Sequence, residues 1–316
     1  MMMKAFCRET RRIAVFVAFV FASLSVPTTA DAAPCTSICL QAGDYSLSLT
    51  TPQSARQYKV HVPASYDGRT AVALTLDLHG YGFTSDDQMN RSGQRRESDR
   101  LGFIVVWPQG VSNGWNGEGC CGVAFDLHID DVGFLRSVIA QIVGRANINP
   151  QKIYVTGWSN GGGMAQRMAC EAADVITAIA SVSHPLNTNT CHPARALSVL
   201  AFHGTADTTV PYDGRGEVLP REVLGVPLGW QGARQSLAAW KTILGCTDTL
   251  TGTQLNGSSR DETYLSCSSG ATAGLVSIAD GEHDLYHVGT IAQLGVGGDP
   301  GHIDIAPYIW SHVFRP

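Results

Sequence analysis

A serine stands in the run Gly157-Trp158-Ser159-Asn160-Gly161, directly after a β-branched stretch at 153–156 and at the head of a helical pattern. Glycines on both sides let the chain bend sharply enough to lift a hydroxyl above a sheet edge. The same turn aims the first helix amides at a reacting oxygen. A serine hydroxyl is a weak nucleophile until a base takes its proton, so the motif asks for a histidine and an orienting carboxylate further along, in the order Ser, acid, His. The chain has ten histidines. His61, His79 and His128 precede the serine, and His184, His192 and His203 leave no room for an acid on an earlier strand end. His283, in Asp280-Gly281-Glu282-His283, lies just beyond the last β-like run, where a loop can swing it over the serine. His287 is its competitor, whereas His302 and His312 go with a C-terminal helix. For the acid, Asp207 closes His203-Gly204-Thr205-Ala206-Asp207 at a strand end, with Asp213, in an Asp-Gly turn, as second choice. A single Asp or His in a loop is ordinarily just solvated; the ordered triple is what argues for acyl transfer through Ser159, Asp207 and His283.

The tetrahedral intermediate of acyl transfer carries a negative oxygen that two backbone amides can hold. The expected donors are Asn160, next to the nucleophile, and Tyr81, in the Gly-rich turn Leu78-His79-Gly80-Tyr81-Gly82. His79 in that turn reads as a structural hydrogen-bonding residue. Trp115 and Trp158 are candidates to stack an aromatic acyl group, with plain packing as the competing reading.

Positioning such residues requires strand ends. Apolar, β-branched runs at 58–62, 72–78, 104–107, 153–156, 176–182, 197–203 and 275–278 read as buried strands. Helical patterns fall at 132–146, 161–173, 231–244 and 303–314, with Asp130 or Asp131 placed to cap the first. Alternating strands and helices imply an α/β fold with a mostly parallel sheet covered on both faces. Gly-rich loops at 108–122 and 208–229 are candidate walls of the site. The cluster Arg91, Arg95, Arg96 and Arg100 reads as a solvated helix face.

The chain has 316 residues, 44% of them hydrophobic and 16% charged, which excludes disordered, collagen-like and coiled-coil classes. Lys4, Arg8, Arg11 and Arg12, the apolar run 13–24 and Ala30-Asp31-Ala32 read as a signal peptide over 1–32, followed by one catalytic domain over 33–316. The run is too short to span a bilayer comfortably. Cys35 raises a lipoprotein alternative, disfavoured by Pro34 beside it. Cleavage would remove four basic and two acidic residues from a net charge of −5, leaving −7, which makes nucleic acid an unfavourable partner. Eight cysteines would remain, in keeping with export to an extracellular or periplasmic compartment. Cys170 with Cys191 and Cys246 with Cys267 would each bracket one compact segment. For Cys35, Cys39, Cys120 and Cys121, a vicinal Cys120–Cys121 ring with Cys35–Cys39 and crossed pairs both stay open. No histidine cluster accompanies the cysteines at ligand spacing, so no metal site is expected.

Taken together, Leu78-His79-Gly80-Tyr81-Gly82, Trp107-Pro108-Gln109-Gly110, Trp115-Asn116 with Cys120-Cys121-Gly122, Asp130-Asp131-Val132-Gly133-Phe134, the Ser159 motif, and His203 to Asp207 with Val210-Pro211-Tyr212 resemble a secreted esterase family. That family contains polyhydroxybutyrate depolymerases, feruloyl and acetylxylan esterases and LpqC-type proteins, and the resemblance covers roughly 55–314. It implies an α/β-hydrolase fold and Ser-Asp-His ester hydrolysis without metal or organic cofactor, with the nucleophile at Ser159, the acid at Asp207 and the base at His283. The chain departs from the family's Gly-Gly-Gly-His-x-Trp-Pro-like stretch, reading Asp280-Gly281-Glu282-His283-Asp284-Leu285-Tyr286-His287. Only 33 residues follow His283, too few for an appended substrate-binding domain, which points to a soluble or loosely ordered ester; a monomer is the expected state.

The expected activity is therefore secreted carboxylic ester hydrolysis on polyhydroxyalkanoate or feruloyl-type esters. Peptide hydrolysis ranks lower, since no cap or propeller domain is seen to select peptides. A binding protein on a hydrolase fold would lack a triad member, and none is missing.

Overall fold

The computed structural model describes residues 39–117, 121–187, 190–214, 231–255, 257–286 and 303–315. The expected signal peptide, Cys35, Cys120, His287, His302 and most of the second Gly-rich loop lie outside these. Two units divide the chain, Met1–Asp31 and Ala32–Pro316, and everything described belongs to the second.

Ten strands form one sheet: β1 (Gly43–Thr50), β2 (Ala55–Val62), β3 (Val72–Leu78), β4 (Ile104–Pro108), β5 (Ile148–Trp158), β6 (Ala178–Val182), β7 (Ser198–Gly204), β8 (Thr251–Gln254), β9 (Arg260–Tyr264) and β10 (Ala273–Ile278). Their spatial order is β1-β2-β4-β3-β5-β6-β7-β10-β9-β8. The six strands from β4 to β10 run parallel, while β1 and β2 on one side and β9 and β8 on the other are antiparallel additions. The central strands are buried on both faces and mostly apolar, because both faces are covered by helices.

The helices are α1 (Ser85–Arg91), α2 (Gln94–Leu101), α3 (Gly122–Asp126), α4 (Asp131–Val143), α5 (Asn160–Glu171), α6 (Ala233–Ile243) and α7 (Ile305–His312). One core joins α4, α5 and α6 to the sheet through Phe134, Leu135, Met164, Met168, Leu237 and Trp240. The other gathers Phe103, Trp107, Trp158, Ile309, Trp310 and Phe314 on the opposite face, where α1, α2 and α7 lie. The α4 cap falls to Asp130, whose carboxylate accepts the Gly133 amide at 2.8 Å. Disulfides link Cys170 to Cys191 and Cys246 to Cys267. Cys39 and Cys121 are each disulfide-bonded as well. Among the described residues no helix is long and apolar enough to cross a membrane.

The arginine cluster resolves into individual roles. Arg95 pairs with Asp44, Arg96 with Glu97 and Asp304, and Arg100 with Glu97, whereas Arg91 lies over the rings of Phe83 and Trp158.

Candidate active site

Strand β5 ends at Trp158 and α5 begins at Asn160, so Ser159 alone makes the turn. It holds φ 55° and ψ −122°, a conformation that costs a non-glycine residue on the order of 1–3 kcal/mol. The strain is sustained by close backbone packing. A Cβ on Gly157 would collide with the Gly161 carbonyl, and one on Gly161 with the carbonyls of Leu78 and His79.

Asp207 and His283 come from the loops after β7 and β10, which are neighbours in the sheet. His283 Nε2 lies 2.8 Å from Ser159 Oγ, and its Nδ1 lies 2.7 Å from Asp207 Oδ2. The three side chains thus form one hydrogen-bonded line. Asp207 is buried, and its Oδ1 accepts the amides of Thr209 and Val210 at 2.9 and 2.8 Å. Burial alone would raise its pKa, but the imidazoles of His203 and His283 hold it well below the usual carboxylate range. His203 was not expected at the site. Its Nε2 donates to the Val210 carbonyl at 2.7 Å and lies 3.4 Å from Asp207 Oδ2, so one N–H is shared between them. The i, i+4 spacing of His203 and Asp207 across a strand end was its only sequence signal. Asp213 lies exposed in the next turn.

The base loop is fixed from several sides. Asp280 N–H donates to Thr205 Oγ1, Ala206 N–H to the Gly281 carbonyl, Ser183 Oγ to the Asp284 carbonyl, and the Tyr286 hydroxyl to the Glu282 carbonyl. These contacts orient His283 in a stretch whose sequence departs from the family pattern.

The turn after β3 packs against the nucleophile: a Cβ on Gly80 would lie 3.4 Å from Ser159 Cβ. His79 accepts the Gly110 amide at Nε2 (2.9 Å), and its Nδ1 donates to the Gly80 carbonyl (2.8 Å), which fixes a neutral tautomer. Burial pushes its pKa down to about 4, as expected of a structural residue. Tyr81 is 42% exposed at the rim, its ring lying against Gly114 and Gly122. Asn160 is buried, and its side chain exchanges hydrogen bonds with the Trp115 backbone at 2.7 and 3.0 Å.

The two tryptophans require correction. Trp115 is 0% exposed, with Nε1 donating to the His79 carbonyl at 2.9 Å and its backbone tied to Asn160. A ring wholly inside the core cannot stack on a ligand, so Trp115 is a strut. Trp158, 6% exposed, packs edge-on to Phe83 at 5.1 Å and lies 5.5 Å from the His283 ring. It walls the site more than it offers a stacking face.

No family model matches the chain. Among curated proteins, feruloyl esterase B of Piromyces equi is 31% identical over 237 residues, 72% of this chain and 42% of that protein. Feruloyl esterase C of Emericella nidulans is 25% identical over 169 residues, 51% of this chain and 58% of that one. Among solved structures, acetyl xylan esterase from Aspergillus awamori superposes with a TM-score of 0.55 at 13% identity, covering 76% of this chain and 94% of that one. The chain adopts the α/β-hydrolase fold and is similar in sequence to feruloyl esterases. The matches span about half the length of these curated relatives. In this α/β-hydrolase fold, the antiparallel additions to the parallel sheet are β1 and β2 at one edge and β8 and β9 at the other. The site lies at the carboxyl ends of β5, β7 and β10, where open α/β sheets bind ligands.

Proposed function

We propose that this α/β-hydrolase is a serine carboxylic ester hydrolase that works through an acyl-enzyme on Ser159, with feruloyl-type esters as its substrate class. The observation that carries the reading is the continuous line Asp207–His283–Ser159, with contacts of 2.7 and 2.8 Å. His283 Nε2 takes the Ser159 proton as Oγ adds to the ester carbonyl, and the ionised Asp207 stabilises the imidazolium that forms. The oxygen that becomes negative is received by the amides of Tyr81 and Asn160. The imidazolium then protonates the departing alcohol, and water repeats the sequence to release the acid. The feruloyl esterase relatives favour a phenolic acyl group over a polyhydroxyalkanoate. Export in a soluble form after cleavage near residue 32, and action as a monomer, complete the reading.

The test is the initial rate on methyl ferulate beside that on amorphous polyhydroxybutyrate film, with Ser159→Ala as the blank. Turnover of the ferulate far above the film supports the assignment. The reverse ranking would reassign the substrate class to polyesters, and a rate on neither above the blank would remove both.

A further inference from the structure

Asp131 is the second acid of Asp130-Asp131-Val132-Gly133-Phe134, and the cap of α4 does not use it. Its side chain is fully buried, as is that of Arg56 on β2 but for 4%. Asp131 Oδ1 accepts Arg56 Nη2 at 2.7 Å, and Oδ2 accepts the Asn116 amide at 2.7 Å. The guanidinium also donates to the Gln109 carbonyl from Nε (3.3 Å) and Nη2 (3.1 Å), and it lies 3.9 Å from the Phe134 ring centroid. The pair therefore grips residues 109 and 116, the two ends of one loop.

Between those ends the loop holds both segments that carry the proposed oxyanion amides. Gly110 N–H donates to His79 Nε2 and Trp115 Nε1–H to the His79 carbonyl, which fixes the turn leading to Tyr81. The Trp115 backbone binds the Asn160 side chain from both sides. From α5, Arg167 Nη1 donates to the Asn116 carbonyl at 2.7 Å. Burying two charges is costly unless each finds several partners. Here the extra partners are the loop's own backbone, which favours geometry over packing as the reason for the pair.

We propose that Arg56 and Asp131 are positioning residues for the oxyanion site, acting through the 109–116 loop; this rests on the ester-hydrolase reading of Ser159. Such a device works in the transition state, where the oxygen is charged, so its loss falls on kcat and spares KM. Displacing a catalytic donor by about 1 Å costs on the order of 100-fold in rate.

The experiment uses the full chain carrying Arg56→Lys or Asp131→Asn. Lysine keeps the charge but lacks the fork that reaches Asp131 and Gln109 together, and asparagine keeps the shape and an oxygen for the Asn116 amide. Methyl ferulate kinetics are referred to active sites counted by titration, so that incompletely folded protein does not enter. A trifluoromethyl ketone that forms a charged adduct with the serine reports oxyanion binding directly. Expected are a loss of about 10- to 100-fold in kcat per active site, KM within about twofold, and ketone affinity falling in step with kcat/KM. Wild-type kcat per titrated site, or a loss confined to KM, overturns the proposal. If Asp131→Asn does not fold, Arg56→Lys decides by the same criteria. Ser159→Ala assayed in parallel separates the two claims. Turnover retained there defeats the serine reading itself, whereas a dead Ser159→Ala beside full-rate Arg56→Lys defeats only the positioning role.

Discussion

At the scale of single residues, the account depends on which groups hold protons. Ser159→Ala removes the nucleophile and leaves the strained turn in place, so ester turnover should fall by at least about 10⁴-fold while the melting temperature stays near wild type. His283→Ala should cost a comparable factor, and a larger loss from His287→Ala in the same assay would move the base. The ordered residues Ser159, Asp207 and His283 were legible because each follows an apolar run that must be a strand, and parallel neighbours deliver their ends to one place. Trp115 stayed open between stacking and packing for a physical reason. Nothing in the spacing of a loop tells whether a ring turns outward or inward, and here the His79 carbonyl draws its indole into the core. The Arg56–Asp131 pair escaped notice because its partners are distant in sequence, and His203 because its main partner is a backbone carbonyl, which residue types do not reveal.

Among the elements, buried strands announce themselves by composition and exposed ones do not. All seven expected strands are present, with β3 at the expected bounds and the others shifted, extended or, for β6, shortened at their ends. β8 was missed because Thr251–Gln254 is exposed at every position and carries no apolar alternation. α1 was not expected because its sequence, SDDQMNR, lacks an apolar stripe, and α2, QRRESDRL, shows itself only as the solvated helix face of Arg95, Arg96 and Arg100. Arg56→Met alone would leave the Asp131 carboxylate buried and unpaired, and should lower stability by about 3–5 kcal/mol in denaturant titration. The Cys246–Cys267 bond closes a segment of 21-residue separation around the β8–β9 hairpin. Replacing both cysteines by serine should cost about 2–4 kcal/mol in the same titration with kcat unchanged, since the segment holds none of the site residues.

For the whole molecule, pH dependence follows from three buried groups. Burial lowers the pKa of His79 to about 4 and of His184 to about 3, and raises that of Asp77 to about 6. On unfolding near pH 5 the two histidines, unfolded pKa about 6.5, each take up a proton, while Asp77, unfolded pKa about 3.9, releases one. The net uptake of about one proton makes stability fall as pH drops from 6 to 4.5, by about 1.4 kcal/mol per pH unit from these groups. Asp77→Asn should steepen that slope and His79→Gln should flatten it, as read by denaturant midpoints across the range. The central claim concerns a covalent bond, and the most direct measurement is the intact mass of the protein quenched in acid during turnover of methyl ferulate, followed by peptide mapping. The account predicts a feruloyl adduct on the peptide bearing Ser159, formed in the wild type and absent from Ser159→Ala. Turnover with no adduct, or an adduct on another residue that persists in Ser159→Ala, would contradict it.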